Sequence, residues 1–240
     1  GIRVVQVPTT LLAQVDSSVG GKTAIDYGGV KNVVGAFWQP RVVIADIGCL
    51  GTLTPEQFAD GCGEVVKHGV IADPDLFAAL EQTPPTLQLL MTDLARVEAI
   101  VARNIEIKRD VVAQDEREGS VRKLLNFGHS IGHAIEACAA FTIGHGNCVA
   151  AGMCTITRAA IAEGACDPDV IDRLTGLLEA CGLMTTSPYS AEELFACALH
   201  DKKRHGDSID LVIPRRIGAC SIENVSLDAF RILIEEGLAS

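Results

Sequence analysis

From Thr54 to the end of the chain, apolar residues recur at intervals of three and four, and this period constrains the fold more than any other feature. Only an amphipathic helix gathers such positions onto one face, so most of the chain is expected to fold as packed helices. The starts are written explicitly. Thr54-Pro55-Glu56 offers a capping hydroxyl, a proline at the first helical position and an acid in the first turn, and Asp73-Pro74 opens another helix in the same way. Leu87, Leu90, Leu94, Val97, Val101 and Ile105 predict one long helix from 87 to about 113. Further helices are expected at 122–140, 146–163, 168–181, 191–200 and 226–237, with two short strands at 208–214 and 219–224.

Residues 1–48 read differently. They are glycine-rich, with extended candidates at 4–7, 22–26, 30–37 and 42–46 set apart by Gly20-Gly21 and Gly28-Gly29. The expected architecture is mainly α: a multi-helical domain over 49–240, preceded by a short β-rich stretch over 1–48. Gly1-Ile-Arg-Val-Val-Gln-Val-Pro8 reads as a buried strand with no earlier element to pair with, so the chain is expected to be a piece of a longer protein.

Composition excludes several classes. Hydrophobic residues make up 48%, enough for a sizeable core and too many for a disordered chain. With 20 Lys and Arg against 31 Asp and Glu, the net charge is −11, which argues against a nucleic-acid surface. No apolar run approaches the roughly 20 residues a membrane span needs, and no signal peptide opens the chain, so a cytoplasmic protein without membrane contact is expected. The nine cysteines are an odd number without a C-x-x-C pair, expected to be reduced and mostly buried.

Four groups of residues carry chemical potential. Asn126, His129, His133 and Glu136 are spaced by three, four and three, which on a helix is one polar stripe in an otherwise apolar or small segment. Two histidines at i, i+4 suit either a metal or a hydrogen-bonded interior pair. His145 sits between two glycines. Glu64, Lys67 and His68 share a face by the same spacing, as part of a site or as a solvated ion pair. Asp16-Ser-Ser-Val-Gly-Gly-Lys-Thr23 is suggestive of an anion loop but lacks the Walker spacing, and Lys31-Asn32 follows it. Lys108 falls on the apolar stripe of the long helix, where a lysine either snorkels or enters a polar cavity. Arg122, Lys202 and Lys203 complete a set of cations that, if they converge, would grip a multiply charged anion.

Read in order, Val7-Pro-Thr-Thr-Leu-Leu-Ala-Gln-Val-Asp-Ser-Ser-Val-Gly-Gly-Lys-Thr23, Lys31-Asn32, Gly61-Cys-Gly-Glu-Val-Val-Lys67, Asp115-Glu-Arg-Glu118, Leu125-Asn-Phe-Gly-His-Ser-Ile-Gly-His-Ala-Ile-Glu136, Gly144-His-Gly146 and Asp201-Lys-Lys203 resemble the 3-dehydroquinate synthases of the shikimate pathway. The resemblance spans nearly the whole chain. It implies an NAD- and Zn²⁺-dependent lyase (Co²⁺ being an alternative metal) that turns 3-deoxy-D-arabino-heptulosonate 7-phosphate into 3-dehydroquinate and phosphate. It implies a homodimer for the full-length protein. It places the metal on Glu64, His129 and His145, with His133 on substrate beside Lys22, Lys67, Lys108, Arg122 and Asn126. Asp16, Asn32, Lys202 and Lys203 complete the substrate cradle, and Thr9, Thr10, Leu12, Lys31, Cys49 and Thr52 match positions that touch NAD.

There are departures. Family members carry a dinucleotide-binding domain with a glycine-rich pyrophosphate turn, and only its last strand and connection are expected here. The chain by itself is therefore expected to be close to inactive. Asn147 stands where the family usually has glutamate, and Gly63 and His68 replace alanine and tyrosine. Two other readings are a sibling sugar-phosphate cyclase, of the 2-deoxy-scyllo-inosose or epi-valiolone synthase type, and an inactive metal-binding fragment.

Overall fold

The computed structural model describes residues 1–27, 30–201 and 207–239, with only the backbone described at 26, 27, 30–33, 200 and 201. Three two-stranded pairings occur among them. β1 (Val5–Gln6) runs parallel to β4 (Val42–Val43), while β2 (Lys22–Tyr27) and β3 (Val30–Phe37) form an antiparallel hairpin with a register shift between Ile25 and Tyr27. Eight helices follow: α1 (Pro55–Ala72), α2 (Pro74–Gln82), α3 (Leu87–Thr92), α4 (Leu94–Gln114), α5 (His129–Cys138), α6 (His145–Ala162), α7 (Asp169–Ala180) and α8 (Ala191–Asp201). The hairpin of β5 (Ser208–Arg216) and β6 (Ala219–Ser226) then leads into α9 (Leu227–Ala239). No helix among the described residues is long and apolar enough to cross a membrane.

The starts read from the sequence hold. The Thr54 hydroxyl accepts from the Gln57 amide and the Gln57 side chain returns the bond, a full capping box, and Asp73 accepts from the Leu76 amide. The expected long helix does not hold: it divides at Asp93, which ends α3 and caps α4 by accepting from the Arg96 amide. Aspartate competes for backbone donors, and here that local bond wins over the apolar period. The helix expected over 122–140 also divides. Val121–Asn126 is a 3-10 turn, Gly128 takes φ +75°, and α5 begins only at His129, so Asn126 leaves the histidine stripe.

α6 is the central element. Residues 148–155 on it are fully buried, and α1, α5, α7 and α9 pack around them. α5 comes very close: a Cβ on Gly152 would lie 2.2 Å from the Gly128 carbonyl oxygen, so only glycine permits this crossing. The β-rich stretch shares this core, because Leu11 and Val15 are fully buried in it and the π-helical turn Ala13–Ser17 packs on α1 and α4. The cysteines correct an expectation. Where α5 and α8 run side by side, Cys138 and Cys197 face each other with Cα atoms 6.2 Å apart and are joined as a disulfide, so not all nine are reduced. A separation of 59 residues leaves no trace of this pairing in the sequence.

Candidate metal and substrate site

Three helices meet at one carboxylate. Glu64 of α1 is fully buried; its Oε1 lies 3.6 Å from Nε2 of His129 on α5 and 3.7 Å from Nε2 of His145 on α6, and has no hydrogen-bond partner. Three ligand atoms at about 2.1 Å from a tetrahedral ion would be about 3.4 Å apart, so this spacing suits a zinc-sized cation. The chemistry of the two imidazoles agrees. His129 Nδ1–H donates to the Phe127 carbonyl at 3.1 Å and His145 Nδ1–H to Glu136 Oε1 at 3.0 Å, which turns both Nε2 atoms toward Glu64.

Each group has a displaced pKa with a physical cause. Burial would raise Glu64, but the Lys67 ammonium and both imidazoles hold it well below the ordinary carboxylate value. Burial, then Lys67, pushes His129 well down, so its ring is neutral. Burial works against charge on His145 too, yet the carboxylates of Glu136 and Glu64 beside it outweigh that and raise the ring to about 9.

Local sequence explains the placement. α6 starts at His145 because Asp60 of α1 accepts from the amides of Gly146 (2.7 Å) and Asn147 (3.2 Å). Gly63 lets the two helices touch, since a Cβ there would lie 2.8 Å from the Gly146 carbonyl oxygen. Asn147 turns away to accept from the Met184 amide, and the carboxylate behind His145 is Glu136 instead.

Behind Glu64 lies a charged, largely buried interior. Lys67 pairs with Glu64, both buried, so the solvated-pair reading of this spacing is set aside. Lys108 does not snorkel; it is buried and donates to Asp16 Oδ1 (2.6 Å) and the Asp16 carbonyl (2.5 Å). Burial pushes Lys108 down from its ordinary value. Asp16, which burial would raise, is held at about 2, chiefly by Lys108. His68 is also buried, and burial with Lys67 pushes it to about 4. Arg122 was expected to face the substrate. Its guanidinium is buried against the carbonyls of Gly20 (2.8 Å) and Glu116, and it does not line the cavity.

In front of the histidines opens a cavity of about 420 Å³, of small-ligand size, lined among others by Lys22, Glu118, Lys123, Asn126, His129 and His133. Glu118 pairs with Lys22 and accepts from Asn126 Nδ2 at 2.9 Å. Lys123 pairs with Asp210 of β5 at 2.6 Å, and Asn224 of β6 donates to the same carboxylate at 2.8 Å. His133 stands with its ring 5.3 Å from that of His129.

Five of the six proposed cofactor positions fall on two segments that Gln14 stitches together, its buried amide donating to the carbonyls of Pro8 (3.2 Å) and Asp46 (2.8 Å), while Lys31 lies on β3. Thr9 is exposed and Thr10 and Leu12 are half-buried on one segment, with half-buried Cys49 and exposed Thr52 on the other. The Lys31 and Asn32 side chains, and Lys202 and Lys203 entirely, lie outside the described residues. Glu118, Lys123, Asp210, Asn224, Asp60 and Asn104 were not foreseen as site groups. The dense charge of Asp115-Glu-Arg-Glu118 was a signal for the first; the strand aspartate Asp210 carried none.

A family model described as 3-dehydroquinate synthase C-terminal matches residues 61–204, and one described as 3-dehydroquinate synthase N-terminal matches residues 1–60. The 3-dehydroquinate synthase of Pelobacter propionicus is 44% identical over 240 residues, 99% of this chain and 66% of that protein. That of Dehalococcoides mccartyi (strain 195) is 40% identical over 238 residues, 98% of this chain and 66% of that protein. The chain thus spans slightly less than two thirds of these relatives. Among solved structures, a 2-deoxy-scyllo-inosose synthase complexed with carbaglucose-6-phosphate, NAD⁺ and Co²⁺ superposes with a TM-score of 0.87 at 27% identity, covering 99% of this chain and 68% of that one. The 2-epi-5-epi-valiolone synthase of Streptomyces hygroscopicus subsp. jinggangensis, with NAD⁺ and Zn²⁺ bound, shares the fold: TM-score 0.88, 23% identity, 99% of this chain and 65% of that one.

Proposed function

The chain belongs to the 3-dehydroquinate synthase family, and on that premise we propose that it forms the metal- and substrate-binding part of an enzyme converting 3-deoxy-D-arabino-heptulosonate 7-phosphate to 3-dehydroquinate and phosphate. The observation that carries the proposal is the buried, unpartnered Glu64 Oε1 facing two imidazole Nε2 atoms. A buried carboxylate oxygen without a donor is costly unless a cation completes it. Glu64, His129 and His145 would hold zinc or cobalt, and Thr9, Thr10, Leu12, Lys31, Cys49 and Thr52 one side of NAD. When bound, the metal supplies Lewis-acid polarisation of a hydroxyl or ketone, and the nicotinamide a reversible hydride sink.

The chain's own residues then do the positioning. Glu136 and the Phe127 carbonyl fix the two imidazoles as Nε2 ligands. Lys22, Lys67, Lys108, Lys202 and Lys203 supply positive charge for a carboxylate and a phosphate, with Asp16, Asn32 and Asn126 as polar partners, while Arg122, buried against the Gly20 and Glu116 carbonyls, holds the wall behind them. His133, at the cavity wall, is placed to accept or return a proton of the bound sugar. A cytoplasmic homodimer is the location and assembly that the resemblance implies for the longer protein.

The test is phosphate release with NAD⁺ and Zn²⁺ from a panel of sugar phosphates. Turnover of the heptulosonate phosphate and none of glucose 6-phosphate supports this reading. The reverse preference would favour a sibling cyclase, the reading that the likeness to the inosose synthase keeps in play.

A further inference from the structure

His68 stands outside the motif residues assigned above, and its surroundings define its state. Asn104 of α4 donates through Nδ2 to the Ile100 carbonyl at 2.7 Å, which can only accept. The amide is therefore oriented, and its Oδ1 faces His68 Nδ1 at 2.9 Å. An oxygen there requires a hydrogen on Nδ1. In the neutral ring, Nε2 is then a bare acceptor. It is buried and has no hydrogen-bond partner.

The groups around this ring come from three elements: Glu64 and Lys67 from α1, Lys108 and Asn104 from α4, and Asp16 from the turn at Ala13–Ser17. A nitrogen of His68 and carboxylate oxygens of Asp16 and Glu64 lie within 4.8 Å of one another. Two carboxylates beside a ring whose Nε2 is a bare acceptor repel unless something with hydrogens or positive charge stands between them. A cation is one solution, but Lys108 and Lys67 already neutralise Asp16 and Glu64, and a third positive charge in this largely buried space would face both ammoniums. A water molecule is the other. It can bridge acceptors up to roughly 5 Å apart, donating two hydrogens while a lysine donates to its oxygen.

We propose that His68 is a positioning residue whose Nε2 anchors one internal water shared with the carboxylates of Asp16 and Glu64, so that Glu64 keeps its Oε1 turned toward His129 and His145. The arrangement ties the candidate metal ligand to the candidate substrate residue Asp16 through one small, neutral bridge. It rests on the metal reading only where metal affinity is the readout.

Two substitutions separate the bridge from ordinary packing. His68→Gln carries an amide oxygen to the position of Nε2 and gives up the Asn104 bond; His68→Asn keeps a donor for Asn104 and gives up the acceptor. Calorimetric titration with Zn²⁺ should show His68→Gln within about threefold of the unsubstituted protein and His68→Asn weakened about tenfold, the lower end of outer-shell effects. The opposite order would mean that His68 serves only Asn104, and the proposal falls. Nitrogen-15 NMR of the unsubstituted protein gives a second reading that needs neither variant to fold. The expected state is an Nδ1–H tautomer with Nε2 accepting a hydrogen bond from a slowly exchanging water. An Nε2–H tautomer overturns the proposal, as does coupling of His68 Nε2 to added ¹¹³Cd²⁺, which would make the cluster a second cation site. If Zn²⁺ does not bind the unsubstituted protein, the metal reading fails and the tautomer alone decides about His68.

Discussion

The two sides of the site are built on opposite plans. On the buried side, Glu64, His129 and His145 come from three helices and are held by partners that aim them: Glu136, the Phe127 carbonyl and, through the start of α6, Asp60. On the open side, Lys22 and Lys123 are already paired with Glu118 and Asp210, and these pairs are partly exposed. The buried side leaves one oxygen without a partner; the open side has pairs that an incoming anion must rearrange. Order built in before binding suits a metal, which needs ligands within tenths of an ångström. Exchangeable pairs suit a substrate that must enter and leave.

The sharpest way to break this contrast is to remove its central carboxylate. Glu64→Leu should abolish tight Zn²⁺ binding, and it strands the buried Lys67 ammonium, so destabilisation of about 3–5 kcal/mol is expected. Urea denaturation measures it. If Lys67→Met restored stability to the double variant without restoring Zn²⁺ binding, the two roles of Glu64 would be separated. A smaller effect is expected one layer out. Glu136→Gln keeps the shape but weakens the hold on His145 Nδ1, and should lower Zn²⁺ affinity about 10- to 100-fold. An unchanged affinity would remove Glu136 from the site.

The pH dependence sharpens the same side. Without metal, His145 is raised from 6.5 to about 9, so its proton stabilises the fold fully below about 6.5, and that contribution is lost as pH rises through 9. The shift corresponds to about 3 kcal/mol at most, spread over that window. Zinc must displace this proton. Affinity should therefore rise about tenfold per pH unit from 6.5 to 9, with uptake of metal releasing one proton from His145. Flat affinity over that range would show that His145 is not protonated in the free site.

How much of this was legible depends on how local each cause is. Thr54-Pro55 and Asp73-Pro74 announced their helices because a cap and its proline are neighbours in the chain. Asp93 was misread for the opposite reason: the apolar period runs through it, and only the competition between its carboxylate and the helix backbone decides that α3 ends there. Glu64, His129 and His145 were named through resemblance, since their spacing alone left a solvated pair and an interior histidine pair as readings. Their convergence depends on glycines 63, 128, 146 and 152, whose part is to let helices cross closely, and no periodicity states that. Glu118, Lys123 and Asp210 were missed because their partners are supplied by the β2–β3 and β5–β6 hairpins or by loops far away in sequence.

The smallest effect belongs to the open side. Lys123 and Asp210 are each about a third exposed, so their bond is worth at most about 1 kcal/mol in solvent. Lys123→Met should therefore shift the urea midpoint barely, while Asp210 keeps its bond from Asn224. Substrate affinity is where the change should appear: a cation at the cavity rim attracts an anion even while paired, and its loss should weaken binding a few-fold, more at low salt than at high. A large fall in stability would mean that the Lys123–Asp210 bond locks β5 to the turn before α5. The open side would then be as rigidly prepared as the buried one, and the contrast between them would disappear.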